Sequence, residues 1–487
     1  MRITNTMMIN SSLSNIAVNK SQMSTLDTQL STQKKISRPS EDPIIAIRAL
    51  RLRSNLNQVS QYLDKNIPDA QSWMEVTQGA LSETNDVITS LYSYCTQGSN
   101  DTFATSERST IADTLQKLKD TFYEQGNVDY AGRYVFTGYK TSSSLTFAST
   151  DEASSVAYTI TQNFTGKDID VKTVFQNGVD LDMADDTTKT ATDVASPSTA
   201  EVYRITLAYD TVSSGNLQAI KYNNGADTMN ITSTTTDSSK VPGDDEVILN
   251  TSTGELLLGK NAYAKLKNAT DITYTYDKDS FSKGDIKPEH YFNCVEKNSG
   301  TTYEKSTEGE DIEYDVNFAQ KMKVNTEASD AFSINLGRDV DNLSNAVQNV
   351  LDIEDKISQI ENMQGLTAYS DSDSQAKLAA MLEAANKEHD LAEENMKKQF
   401  ESGITKMQNY QKQVTAASSD VGNRISSLKL TQSRLEEQKT NFTNLKSKNE
   451  DIELEEVVVN YSSAELVYNA SLSAASKVVR QSLLDFL

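Results

Sequence analysis

The chain has 487 residues, enough for two to four domains, and a formal net charge of -23, which argues against nucleic acid as the main partner because phosphate-binding faces are basic. Its two cysteines, Cys95 and Cys294, exclude a disulfide framework, and its two histidines, His290 and His389, leave little for histidine-based catalysis. No apolar run reaches the roughly 18 residues of a membrane span.

The opening, MRITNTMMINSSLSNIAVNK, is polar and lacks the continuous apolar core of a cleaved secretory signal, so any export takes another route. Ile9, Ile16, Met23 and Leu30 recur every seven residues, with Leu13 and Leu26 beside them. The spacing predicts an amphipathic helix with a narrow seam that needs a partner helix. Within KKISRPSEDPIIAIRALRLR, Pro39 disfavours helical geometry at the residue before it, and Asp42 with Pro43 restarts a helix as cap and first residue. Ile45, Ala49, Leu52, Leu56, Val59 and Leu63 then keep helical spacing, so this stretch is a helix–break–helix corner. A membrane-surface reading of Arg48, Arg51 and Arg53 is weaker than packing against other helices, because the apolar seam outruns the basic part. The arginines are expected on a solvated face or in salt bridges to neighbouring subunits.

The helix continues past Trp73, Leu81, Ile88 and Leu91, with Pro68 expected to kink or interrupt it. Another helix is predicted over Ser106 to Gln125, and a β-hairpin over Gly132 to Phe147. The middle alternates apolar and polar residues in VAYTI, YRITLAY, ITYTY and IEYDVNF, and EVILNTSTGELLLG reads as a hairpin turning near Gly254. These strands place a β-rich inserted domain at 148–324. Its acidity is part of the same contrast: residues 180–320 carry twelve basic and twenty-five acidic side chains, whereas residues 1–60 carry eight and three.

Helix returns with Leu336, Val340, Leu343, Val347, Val350, Ile357 and Ile360. From Gln375 a much longer pattern runs through Leu428, Leu435 and Phe442, then steps by three to Leu445, Ile452, Val459 and Leu466. That length points to coiled-coil packing. The final segment is rich in Ala and Ser, which let helices approach closely.

No constellation carries catalysis. LGKNAYAK lacks phosphate-loop spacing, and the acidic clusters lack calcium-loop spacing. His389 reads as a packed, hydrogen-bonded helix residue. His290, beside Glu289 and four residues before Cys294, has no third group to orient a nucleophile pair. Trp73 reads as core. No catalytic residue, cofactor or metal is expected.

Three segments carry a family likeness. MRITNTMMINSSLSNI with KKISRPSEDPIIAIRALRLRSNL, then GRYVFTGYKT, then the ending YSSAELVYNASLSAASKVVRQSLLDFL, resemble the bacterial flagellin-like family, most closely its hook–filament junction proteins. The resemblance covers about 1–147 and 325–487. It implies an α+β fold with three parts: paired terminal coiled-coil helices (1–38 plus 450–487) lining a tube, a helical shell with an edge hairpin (39–147 plus 325–449), and the β-rich outer insertion (148–324). It implies Ile9, Ile16, Met23 and Leu30 paired with Leu445, Ile452, Val459 and Leu466, and Leu483, Leu484 and Phe486 near the tube interior. It further implies a non-enzymatic adaptor of the flagellum that forms a homo-oligomeric ring, with hook-associated protein 1 on one side and flagellin on the other. An export chaperone and the type III export apparatus would deliver it outside the cell, without insertion into a membrane. Flagellin itself is the alternative, although its usual DDAAGLAI-like restart stands here as SEDPIIAI.

Overall fold

A computed structural model describes residues 5–100, 105–215, 217–305 and 309–484, the side chains of 5, 105 and 478–484 excepted. The long helices are α1 (Asn5–Thr32), α2 (Pro43–Gln61), α3 (Ile67–Gly98) and α4 (Thr105–Glu124) in the first part of the chain. Short α5 (Thr150–Ser154), α6 (Lys260–Leu266) and α7 (Ala328–Ala331) follow, then α8 (Ile334–Gln364), α9 (Ser372–Glu450) and α10 (Leu454–Leu484). Among the described residues all strands fall between α4 and α7, so the expected α+β class, with helices towards both ends and a β-rich stretch between them in sequence, is what the chain forms.

The chain divides into two compact units. The first combines Met1–Asp69, Tyr314–Met322 and Ser426–Leu487. Here α1 packs along α10, and the inward face of α2 buries Ala46, Ala49 and Val59. After α2, Tyr62–Asn66 widen into a single π-turn that runs directly into α3. The Ile67 N–H reaches back to the carbonyl of Tyr62, five residues earlier. That wider turn makes room for the Pro68 ring where an α-turn would press it against the preceding carbonyl. The interruption expected at Pro68 thus takes the form of this one π-turn, after which the chain resumes as α-helix.

Strand β14 (Glu313–Asn317), read from IEYDVNF, pairs only with β15 (Gln320–Lys323) and not with the sheets of the insertion. Its hairpin is tied within the first unit by Asn66, whose side-chain amide donates to the Asp315 carbonyl at 2.8 Å. The Phe318 ring meets Tyr62 edge-on.

The second unit comprises Ala70–Glu313 and Lys323–Ile425. Its helical part buries Trp73, Leu81, Ile88 and Leu91 of α3, Phe122 of α4, Val340 and Val347 of α8, and Phe400, Met407 and Val414 of α9. Arg133 stacks over the Trp73 ring at 4.5 Å, so Trp73 is a core residue with a cation on its face. The hairpin expected over Gly132 to Phe147 is much shorter. Only β1 (Asp129–Tyr130) and β2 (Arg133–Tyr134) pair, turning at Ala131 and Gly132, both at positive φ. The remainder is turns, because its Ser and Thr side chains bond to local backbone instead of a ladder.

The insertion holds two sheets. One contains β3 (Tyr158–Phe164), β6 (Ile220–Tyr222), β7 (Asp227–Met229), β11 (Ile272–Lys278), β12 (Asn293–Glu296) and β13 (Thr302–Tyr303), in the order β13-β12-β3-β11-β6-β7. The other contains β4 (Ile169–Gln176), β5 (Ser198–Thr206), β8 (Ser233–Thr235), β9 (Val247–Asn250) and β10 (Glu255–Leu258), in the order β4-β5-β10-β9-β8. Ile160, Tyr274 and Tyr276 of the first sheet share one core with Ile205, Leu249 and Leu256 of the second. The predicted β9–β10 hairpin is present. Gly254 closes it at φ +62°, where a Cβ would stand 2.0 Å from the Tyr209 carbonyl oxygen. Only glycine fits that turn.

Candidate functional site

The corner between α1 and α2 meets the corner between α9 and α10. Gln33 leaves α1 at φ 56°, and Lys34 forms an isolated antiparallel bridge with Asp451. The Lys35 N–H donates to the Glu450 carbonyl at 2.7 Å, and the Ile452 N–H donates to the Gln33 carbonyl at 3.3 Å. Charge reinforces the bridge. Arg53 grips Glu450 with two hydrogen bonds of 2.8 Å each, and Lys34 pairs with Asp451. The Arg53 hydrogen bond holds the Glu450 carboxyl below its ordinary value, and the Lys34 hydrogen bond does the same for Asp451.

Asp42 then starts α2 as expected, accepting from the Ile44 and Ile45 amides at 2.9 and 3.0 Å, with Pro43 at the first helical position. Pro39 stands in the exposed turn before it. The break at residues 33–42 thus has local causes, and the one at 451–453 is held against it.

Along α1 the half-buried positions include Ile9, Ser12, Ile16, Asn19, Met23, Leu26 and Leu30, spaced by three and four, with Thr28 and Gln29 also partly covered near the end of the helix. This is the predicted seam, except that Leu13 points outward and is 58 % exposed. On α10 the inward positions are Val457, Tyr461, Ala464, Tyr468, Ser471 and Ala475, again by three and four. The side-chain amide of Asn19 donates to the Ser471 hydroxyl at 2.8 Å across the pair.

The expected partners of the α1 seam therefore need correcting. Leu445 is 52 %, Val459 63 % and Leu466 73 % exposed, and only Ile452, in the corner, is partly covered. Val459 follows Val457 by two residues, about 200° around a helix, so Val459 and Leu466 form a second stripe on the opposite side of α10. Side chains of 478–487, including Leu483, Leu484 and Phe486, lie outside the described residues.

Arg53 bridges to Glu450 of its own chain. Arg48 and Arg51 are exposed and form no ion pair among the described residues. Beside them Ile44, Ile47 and Leu50 are 63, 54 and 63 % exposed. The inward face of α10 escaped sequence reasoning because Tyr461, Ala464 and Ser471 carry little hydropathy. Their three–four spacing with Val457 was the available signal.

The second unit offers nothing comparable. A crevice of about 880 Å³ in it is lined by charges that include Lys172 paired with Glu255 and Lys119 paired with Asp341 at 2.7 Å each. His290 is buried, hydrogen-bonded to the Ser144 carbonyl at 3.1 Å, and held neutral with its pKa lowered to about 3 by burial. The Cys294 thiol is pushed up to about 12 by burial, so it is no nucleophile. His389 is half-buried, 3.4 Å from Glu354 in a cluster with Arg108 and Glu393. No group of His, Cys, Asp and Glu able to hold a metal ion occurs among the described residues. No described helix is long and apolar enough to cross a membrane.

These features define an α+β chain whose terminal helices α1 and α10 pack on each other and whose sheets lie between them in sequence. Residues 3–141 match the bacterial flagellin N-terminal helical region. The flagellar hook-associated protein 3 of Salmonella typhimurium is 32 % identical over 142 residues, 29 % of this chain and 44 % of that protein. A flagellin of Clostridium tyrobutyricum is 31 % identical over 120 residues, 25 % of this chain and 32 % of its own. The matched part thus spans less than half the length of either relative. A solved flagellar hook-associated protein 3 of Legionella pneumophila aligns over 82 % of this chain and 96 % of its own, with a TM-score of 0.29 and 12 % identity.

Proposed function

We propose that this chain is a structural subunit of the bacterial flagellum, not an enzyme, which polymerises as an adaptor at the hook–filament junction. The observation that carries the reading is the flagellin-type N-terminal region folded along α10 with apolar stripes left on the outside of both α2 and α10. A monomer gains nothing from exposing such stripes, whereas a subunit that associates buries them. In this reading residues 1–38 and 450–487 line an inner tube, 39–147 and 325–449 form the shell, and 148–324 face outward. Leu445, Val459 and Leu466 serve contacts between subunits. The chain leaves the cell through the type III export apparatus with an export chaperone, and stands as a ring between hook-associated protein 1 and flagellin.

A second reading, a filament flagellin, is favoured by the similarity to the clostridial flagellin. Immunogold electron microscopy of intact flagella, with antibody against residues 150–320, separates the two. Label confined to the hook–filament boundary supports the adaptor, and label along the filament supports a flagellin. Absence of flagellar label with a working control antibody refutes both. Leu466→Asp tests the outer stripe: the side chain is already exposed, so the variant should fold and be exported yet fail to assemble. Its normal incorporation into flagella would sink that role for α10.

A further inference from the structure

The first unit presents two exposed apolar stripes of opposite charge. On α2, Ile44, Ile47 and Leu50 are each more than half exposed and flank Arg48 and Arg51, and the helix contains no acidic residue. On the first half of α10, Val459 and Leu466, one heptad apart on the same face, are each more than half exposed. They lie among exposed Glu453, Glu455, Glu456 and Glu465, and residues 453–466 contain no basic side chain. None of these glutamates, nor Arg48 or Arg51, enters an ion pair among the described residues.

We infer that the α2 stripe of one copy of this chain docks on the outer α10 stripe of the next. This inference rests on the self-assembly reading above and names the surfaces that carry it. Both stripes want to leave water, and each carries the countercharge of the other. Pairing like with like would set Arg48 and Arg51 against their own copies, or Glu455 and Glu456 against theirs, and like charges in contact are repulsive. Contact between two different patches is heterologous, so repetition produces a ring or a helical array instead of a closed dimer. A second copy is the partner whose complementary patch is on this same unit.

The experiment is disulfide cross-linking of the purified full chain, using Ile47→Cys and Val459→Cys separately and mixed. Cys95 and Cys294 are buried, which keeps the background low. The expected result is a mixed 47–459 adduct at least 10-fold more abundant than either homodimer, and a ladder from the double variant. Arg48→Glu/Arg51→Glu added to the Ile47→Cys chain should lower the adduct about 10-fold, and Glu455→Lys/Glu456→Lys added to the Val459→Cys chain should restore it. Predominant 47–47 or 459–459 adducts, or no adduct where sedimentation shows the wild type associating, overturn the pairing while leaving self-assembly standing. A wild type that neither associates nor cross-links at any concentration overturns the pairing and the self-assembly reading together.

Discussion

Replacing Glu450 by Ala removes the carboxylate on which both corners converge. The Glu450 side chain is 5 % exposed, whereas its partners Arg53 and Lys34 are 54 % and 41 % exposed. Losing one member of a fully buried pair costs about 3–5 kcal/mol because the other charge is stranded. Here both cations can turn to water, so the cost is that of lost charge-assisted hydrogen bonds, about 1–3 kcal/mol. Because the Lys35 N–H donates to the backbone carbonyl of residue 450, the corner's opening is read directly by hydrogen exchange at Lys35. An opening cheaper by that amount speeds exchange about 5- to 150-fold. Glu450→Gln, which keeps one acceptor, should fall between. The sign with pH follows from the lowered Glu450 value. Its contribution is present above the ordinary glutamate range and is lost as pH falls through the depressed folded value. Wild-type protection at Lys35, corrected for intrinsic rates, should therefore weaken below about pH 4, and less so in Glu450→Ala, where Asp451 alone remains. Unchanged Lys35 exchange in Glu450→Ala would show that the corner is held by something other than this carboxylate.

Asp42→Ala should cost about 1 kcal/mol and expose the Ile44 and Ile45 amides to exchange, with Asp42→Asn largely preserving them; equal protection in all three would refute the cap. Gly254→Ala should destabilise the insertion by more than about 1 kcal/mol, since both φ and the Tyr209 carbonyl oppose a Cβ; thermal melting with near-UV detection checks this. His290, whose pKa is lowered to about 3 by burial, takes up a proton more readily unfolded than folded. The insertion should therefore lose about 1.4 kcal/mol per pH unit below about 6.5. Urea unfolding at pH 7.5 and 5.5 would show a slope that His290→Gln lacks, and equal slopes would mean that the imidazole reaches solvent.

Much of this molecule was legible because its signals are local. The Asp42–Pro43 restart, the α1 seam of Ile9, Ile16, Met23 and Leu30, and the β9–β10 turn at Gly254 each depend on a few adjacent residues and a fixed period. The form of the interruption at Pro68 was not legible, because the usual consequence of proline assumes an α-turn before it, and a π-turn removes the conflict. The hairpin at Gly132 was overextended because its serines and threonines fit a strand pattern while their hydroxyls bond to nearby backbone.

By itself the sequence determined that both ends are helices with apolar seams, that a β-rich insertion lies between them, and that a corner follows α1. Only the tertiary structure decided which side of α10 meets α1. Two stripes two residues apart on one helix are equally periodic, so period cannot rank them. The small and aromatic set from Val457 to Ala475 packs against α1, while the more hydropathic Val459 and Leu466 face outward. The corner contacts are nonlocal for the same reason. Arg53 and Glu450 stand 397 positions apart, and no periodicity links residues that only the fold brings together.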